Sequence, residues 1–348
     1  MTGTAMRTKA AVPAAVLTLA LAGCGLAAGE SDSGLQTLTL QASDSYTQLP
    51  IRFGVEKGFF EEAGIEVEFT NVDDAVTGAA QGDLSFAFGP TSEFLRAAEQ
   101  GVPIKIISSA FRSKGPYWLI ADKDIESIDD LRGRQVGNST DGSNLDTVLR
   151  HILQEEGLDP DEDVTLVNAG VHEQAYGALT TGQVDATIIH QPFPALGELE
   201  GETVTLARGW EYLPTYHTGV LIAGESTIES DPELLRNGLE AYFRSYTYAK
   251  EHYDEYLPWL KEQLDTIDGD AVEAAIEAED PIWDANPAID REAIRDTQEI
   301  EIEVGHQDGL YDAEAHIDER FIPEEYVKPF DYEFTGTEGG DDPAGQGS

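Results

Sequence analysis

The sequence predicts an α/β protein built as two similar halves, and three observations predict it. Short apolar runs alternate with segments of helical period, an order that folds into mostly parallel sheets covered by helices on both faces. This interleaving occurs twice, once before and once after Trp118-Leu119-Ile120-Ala121. The chain has 348 residues and one cysteine, enough for two ordinary cores and too few thiols for an internal disulfide.

In the first half, Leu38, Leu40 and Ala42 alternate with polar residues and predict a strand that stops at Ser43-Asp44-Ser45. Pro50 suits the first turn of a helix running to Gly58, with Phe59 and Phe60 turned inward and Gly64 closing it. Ile65, Val67 and Phe69 alternate as a second strand, and Leu84, Phe86 and Phe88 as a third that ends at Gly89-Pro90. Thr91 is the predicted N-cap of a helix reaching Gln100, and a fourth strand spans 104–107.

In the second half, Ser127 and Asp130 flank a helical turn before a strand at 135–137. Leu145, Val148, Leu149, Ile152 and Leu153 share one face of a helix over 144–156. A strand at 164–167, a helix at 172–181 and a strand at 186–189 follow, and the chain returns to strand at 220–223. Beyond Asp231 it is mostly helical, with Tyr242, Tyr246 and Tyr248 in a long acidic and aromatic run.

The ends read differently. Arg7 and Lys9 precede an almost uninterrupted apolar stretch over 10–22, which closes on Leu21-Ala22-Gly23-Cys24. A basic start, an apolar middle and small residues before a cut site predict a secretory signal peptide over 1–23. The stretch is short of the roughly 20 residues of a spanning helix. Its last four residues resemble the bacterial lipobox, which implies a lipid on Cys24; a secreted protein with an incidental cysteine is the alternative. Residues 24–34 predict a flexible linker and 336–348 a disordered Gly/Asp-rich tail.

Sixty-seven acidic residues oppose 21 Lys and Arg, a net charge of −46. Such a field repels nucleic acid and anionic lipid headgroups, so neither is an expected partner. The acids are spread along the whole chain, which suggests solvation in a salty medium. No GxSxG, HExxH or GxGxxG occurs, and no cysteine is placed as a nucleophile. The seven histidines are scattered without metal-ligand spacing, and Asp161-Glu162-Asp163 reads as a solvated turn. No catalysis, metal or cofactor is expected.

Ligands of open α/β sheets sit beyond the C-terminal ends of the strands. That rule selects the loops 43–48, 90–92, 138–143 and 190–193. In the first, Ser43 and Gln48 supply polar groups and Tyr46 a ring for stacking. Thr91 and Ser92 open a helix. Ser139, Thr140, Asp141, Gly142 and Ser143 lie between strand and helix, where free N–H groups, the helix dipole and hydroxyls would receive an anion. An ordinary capped turn explains the same composition, and Asp141 pointing inward would favour an amine or pyrimidine instead. His190, Gln191 and Phe193 close the last loop, where His190 can donate or accept. Tyr117 falls near the first crossing between halves; His217 is a weaker candidate.

Several stretches, in order, resemble one family. Leu49-Pro50-Ile51 followed by Glu56-Lys57-Gly58-Phe59-Phe60-Glu61-Glu62-Ala63-Gly64-Ile65-Glu66-Val67 resembles the opening of NMT1/THI5-like substrate-binding proteins. So do Gly82-Asp83, the run from Asp129 to Gly137, and Ala178-Leu179, Gly182, Val184-Asp185-Ala186 and Pro192. Arg52-Phe53 departs from the small or apolar residues usual there.

The resemblance implies a two-lobed periplasmic-binding-protein fold (type II-like) whose two crossing strands form a hinge. Lobe one would comprise 35–110 plus 220–335 with the C-terminal helices, and lobe two with the hinge 111–219. It also implies an extracytoplasmic, lipid-anchored solute-binding protein, expected as a monomer. Its partners would be a small solute and the transmembrane subunits of an ABC permease. A sulfonate, taurine or nitrate-like anion is the favoured solute, with Arg52, Arg112 and Lys114 as nearby cations. A pyrimidine or other heterocycle, an enzyme on the same scaffold, and a sensor partner are the alternatives.

Overall fold

The computed structural model describes residues 34–43, 46–72, 74–110 and 114–330. The predicted signal peptide, Cys24, nearly all of the predicted linker, Arg112 and the predicted 336–348 tail lie outside the described residues. The strands are β1 (Gln36–Gln41), β2 (Ile65–Thr70), β3 (Ala87–Gly89), β4 (Ile104–Ser109), β5 (Trp118–Asp122), β6 (Gln135–Asn138), β7 (Thr165–Asn168), β8 (Ala186–Ile189), β9 (Thr203–Arg208) and β10 (Val220–Gly224).

The first lobe holds the parallel pair β1-β2 and the set β3-β10-β4. Ser85 stitches them: its N–H donates to Thr39 O at 2.8 Å and its hydroxyl oxygen accepts from Thr39 N–H at 3.0 Å. The predicted third strand is ordered as a strand only from Ala87 on, because the residues before it spend their hydrogen bonds on β1 and on the turn at Gly78. The second lobe is one five-stranded sheet, β7-β6-β8-β5-β9. Every antiparallel pairing involves β5 or β10, the strands that follow the two crossings. The edge strand β9 is an addition to the predicted elements. Thr203 is buried while Val204 and Leu206 are only partly covered, so its alternation does not track burial.

Local chemistry sets several boundaries. Pro50 occupies the first turn of the helix Leu49–Glu56, where its missing N–H leaves no bond unmade. That helix ends before Gly58, whose φ of 82° suits a residue without Cβ, and Phe59–Glu62 forms a separate short turn of helix. Pro90 rather than Thr91 is the N-cap of the helix Thr91–Glu99, because the Thr91 hydroxyl is engaged by His217 at 2.8 Å.

One large core joins Leu38, Phe86 and Leu221 of the first lobe to Tyr242 and Tyr246 of the helix Pro232–Glu251. Further along, the helix Gly269–Glu279 packs against Phe193–Glu200 of the second lobe. In the helix Arg291–Glu303, Ile294 joins the core of Phe94 and Leu95, while Ile300 packs against the Leu145–Leu149 cluster of the second lobe. The C-terminal helices therefore touch both lobes.

Candidate functional site

A cavity of about 380 Å³ opens between the lobes, within the size range of small-molecule sites. Thr47, Phe88, Pro90 and Ala110 line it from the first lobe, and Pro116, Tyr117 and Thr218 from the crossings. The second lobe contributes Ser139, Thr140, Ser143, Asn144 and Leu145 from one loop, with Val171, His172 and His190 from two others.

The 138–144 loop is folded around one buried carboxylate. Asp146 accepts from Asn138 Nδ2 at 2.8 Å and from Gly142 N–H at 3.0 Å, and Arg150 Nε lies 3.1 Å away. Ser143 caps the helix Asn144–Glu155 by accepting from Asp146 N–H at 3.3 Å, and its hydroxyl sits 2.6 Å from that of Ser139. Burial opposes ionisation of Asp146, but hydrogen bonds from His306, Gly142 and Asn138, with Arg150 adjacent, hold its carboxyl down at about 2. The protein's own carboxylate thus takes the Gly142 amide of this loop, while Ser139, Thr140 and Ser143 still line the cavity.

Three rings form one wall. His190 lies 5.1 Å from the Tyr117 ring and 5.6 Å from that of His172. Its Nδ1 is 3.0 Å from Pro116 O, and a carbonyl only accepts, so Nδ1 carries a proton. Burial pushes the pKa of His172 down, favouring its neutral form. Its backbone φ of 51° is a strained value held at the entry to the helix Glu173–Thr180. Asn144 ties the wall to the hinge, donating to the Tyr117 hydroxyl at 3.1 Å and to Thr218 O at 2.9 Å. Among the described residues, no Lys, Arg, Asp or Glu lines this cavity.

Tyr117, Ser139, Thr140, Ser143 and His190 are thus brought together at the cavity, as the sequence predicts. Others lie elsewhere. Ser43 and Gln48 line a neighbouring cavity of about 190 Å³ that shares Thr47 and Phe88 with the first. Arg52 lines that smaller cavity, where its Nε donates to Ser43 O at 3.2 Å and its guanidinium lies 5.0 Å from the Phe69 ring centre. Tyr46 is buried in the first-lobe core, and Thr91 and Ser92 are buried in the first lobe. Asp141 is exposed and Lys114 half-buried, and neither lines the cavity. The Gly142 amide is taken by Asp146, and Gln191 caps a helix by accepting from Ala195 N–H at 3.2 Å. Phe193 packs with Trp118 and Trp210 in a core cluster. His217 is buried between Thr91 and Ser109.

Phe88, Ala110, Pro116, Asn144, Leu145, Val171, His172 and Thr218 line the cavity outside the loops that sequence reasoning selected, and Thr47 lies in one of those loops without having been singled out. The signal for Val171 and His172 was present: they follow β7, and the rule of strand C-terminal ends applies to that loop as well. Nothing local marks Asn144, which reads as an ordinary first helical residue.

Two α/β lobes, two crossings and a cavity between them define the class of periplasmic binding proteins. Solved structures agree on the fold. The Escherichia coli periplasmic aliphatic sulphonate binding protein SsuA superposes with a TM-score of 0.66 at 13% identity, covering 87% of this chain and 97% of that one. The desulfurization enzyme DSZB gives 0.58 at 17% identity, covering 82% and 97%. By sequence, the formylaminopyrimidine-binding protein of Halalkalibacterium halodurans is 28% identical over 250 residues, 69% of this chain and 74% of that protein. The NMT1/THI5-like family profile matches residues 47–256, more than half of the chain. The chain belongs to the NMT1/THI5-like family.

Proposed function

We propose that the protein is an extracytoplasmic solute-binding protein of an ABC importer, lipid-anchored through Cys24, whose cargo is a small flat nitrogen heterocycle of the aminopyrimidine kind. One observation carries the cargo: a cavity walled by Tyr117, His190 and His172 and lined by no formally charged side chain among the described residues. An uncharged wall of rings suits stacking on a flat ligand. The Nε2 of His190 suits an exocyclic amine, and the Ser139, Thr140 and Ser143 hydroxyls suit ring nitrogens. A sulfonate or nitrate needs dense donors or a cation, and the Gly142 amide of this loop is already taken by the carboxylate of Asp146. The similarity to a formylaminopyrimidine-binding protein points the same way. Binding to both lobes would raise the closed population by differential affinity, and the closed form would deliver to the permease.

A thermal-shift panel tests this with formylaminopyrimidine, other thiamine-precursor pyrimidines, taurine, alkanesulfonates and nitrate. A ligand at 100 times its dissociation constant adds about 2.7 kcal/mol of stability. The pyrimidines are expected to raise Tm and to be recovered unaltered, and the sulfonates and nitrate to leave it unchanged. The reverse pattern would overturn the cargo, and a pyrimidine consumed on incubation would make the protein an enzyme.

A further inference from the structure

Beneath the 139–143 loop lies a polar cluster that solute capture as described does not use. Asp146 and Thr147 come from the helix Asn144–Glu155, Glu301 from the helix Arg291–Glu303, and all three are 0% exposed. His306 reaches in from the segment just after that second helix. Thr147 Oγ1–H donates to Glu301 Oε1 at 3.1 Å, which commits the only proton of the hydroxyl. The same oxygen lies 2.9 Å from His306 Nδ1, so that contact needs a proton on Nδ1. His306 Nε2 lies 3.1 Å from Asp146 Oδ2, a second acceptor, so Nε2 needs one too. With Asp146 and Glu301 as carboxylates, this hydrogen bookkeeping makes the ring an imidazolium.

The cluster reaches the cavity by two routes. Asp146 holds Asn138 and the Gly142 amide. Tyr216 OH lies 2.8 Å from Glu301 Oε1 and 3.1 Å from Asn144 Oδ1, and Asn144 in turn holds Tyr117 and Thr218. We propose that His306 is a positioning residue for the cleft: its imidazolium locks Asp146 to Glu301 and thereby fixes Asn144 and the 139–143 loop in the geometry that receives the solute. This rests on the reading that the cleft binds a solute. His306 and Glu301 lie outside the 47–256 span matched to the family, while Asp146 and Asn144 lie inside it.

The charged and titratable groups facing His306 are Asp146 and Arg150 from one helix, Glu301 from the other and Tyr216 from the returning crossing; Arg150 is shared with Asp161. The hydrogen bond to Asp146 and the Glu301 carboxylate 3.6 Å from Nδ1 raise the His306 pKa to about 9 against the opposing effect of burial. The lock is therefore closed at neutral pH and opens as pH rises through about 9.

The test uses the full-length protein. Nitrogen-15 NMR of the His306 ring at pH 7.5 is expected to show protons on both nitrogens. His306→Gln should speed hydrogen exchange at the Gly142 amide and raise the Kd for formylaminopyrimidine, each by about tenfold. Glu301→Gln in the His306→Gln background removes the stranded carboxylate and should recover part of the loop protection. Wild-type Kd should hold steady from pH 6 to 8 and rise above 9, a limb absent from His306→Gln. A singly protonated ring at pH 7.5, or unchanged Gly142 exchange in His306→Gln, overturns the lock. Failure of wild type to bind formylaminopyrimidine removes that cargo, while ring titration and loop exchange still decide the lock.

Discussion

His217 has its Nδ1 2.8 Å from the Thr91 hydroxyl and its Nε2 2.9 Å from that of Ser109, while its backbone N–H donates to Thr297 Oγ1 at 2.6 Å. Burial pushes its pKa down to about 4, so the folded ring is neutral at neutral pH. Above the unfolded value of about 6.5 both states are neutral and the ring adds no pH dependence. Between 6.5 and 4 only the unfolded chain takes up the proton, so acidification costs stability, on the order of 3 kcal/mol by pH 4. Tm followed from pH 7 to 4 should fall along this limb, and His217→Gln should flatten it. An equal slope in both proteins would mean that His217 is protonated when folded. His190 differs because it lines the cavity: His190→Ala is expected to weaken solute binding by about tenfold, read as Kd by calorimetry. An unchanged Kd would remove the ring wall from the recognition argument.

At the scale of elements, close approach matters more than propensity. The helices Leu49–Glu56 and Pro232–Glu251 meet at Gly54, where an added Cβ would fall 1.8 Å from Ser245 Oγ and 2.5 Å from Ser245 Cβ. Gly54→Ala must push the helices apart and should cost about 1–3 kcal/mol in denaturant unfolding. Gly177 sits in the helix Glu173–Thr180 with nothing within 4 Å of an added Cβ. There Ala should stabilise by about 0.5–1 kcal/mol, since only the entropy of the unfolded chain changes. Equal effects at the two glycines would show that packing does not set their cost. The same first helix carries Arg52, where the family resemblance anticipates a small or apolar residue. The arginine fits because the helix faces a cavity there, letting the side chain lie along the Phe69 ring.

At the scale of the molecule, charge dominates. With 67 acidic residues against 21 Lys and Arg, most carboxylates can have no cationic partner, and their mutual repulsion opposes compaction. Salt shortens the Debye length from about 10 Å at 0.1 M to about 3 Å at 1 M. Tm is therefore expected to climb steadily with sodium chloride up to molar concentrations. A flat salt profile would show that the acids are spaced widely enough not to interact. Among the described residues no Lys, Arg, Asp or Glu lines the cavity, which suits the neutral cargo proposed above, since such a solute does not have to overcome the outer field to enter.

The alternation of strands and helices, the two halves and most loops of the cleft were legible in the sequence, because period and turn chemistry are local. Leu145 to Leu153 declare one helical face whatever they pack against, and the C-terminal ends of β6 and β8 point to Ser139, Ser143 and His190. Which side chains line the cavity was decided only by the tertiary structure. Thr91, Gly142 and Gln191 carry suitable groups at suitable strand ends, yet each is claimed by a nearer partner: His217, Asp146 and Ala195. Asn144 and His172 look ordinary until the lobes are assembled around them. Sequence by itself determined the elements and the neighbourhood of the site. The site's membership and charge depended on contacts such as that of His306 with Asp146, which join distant parts of the chain through hydrogen bonds that no local pattern encodes.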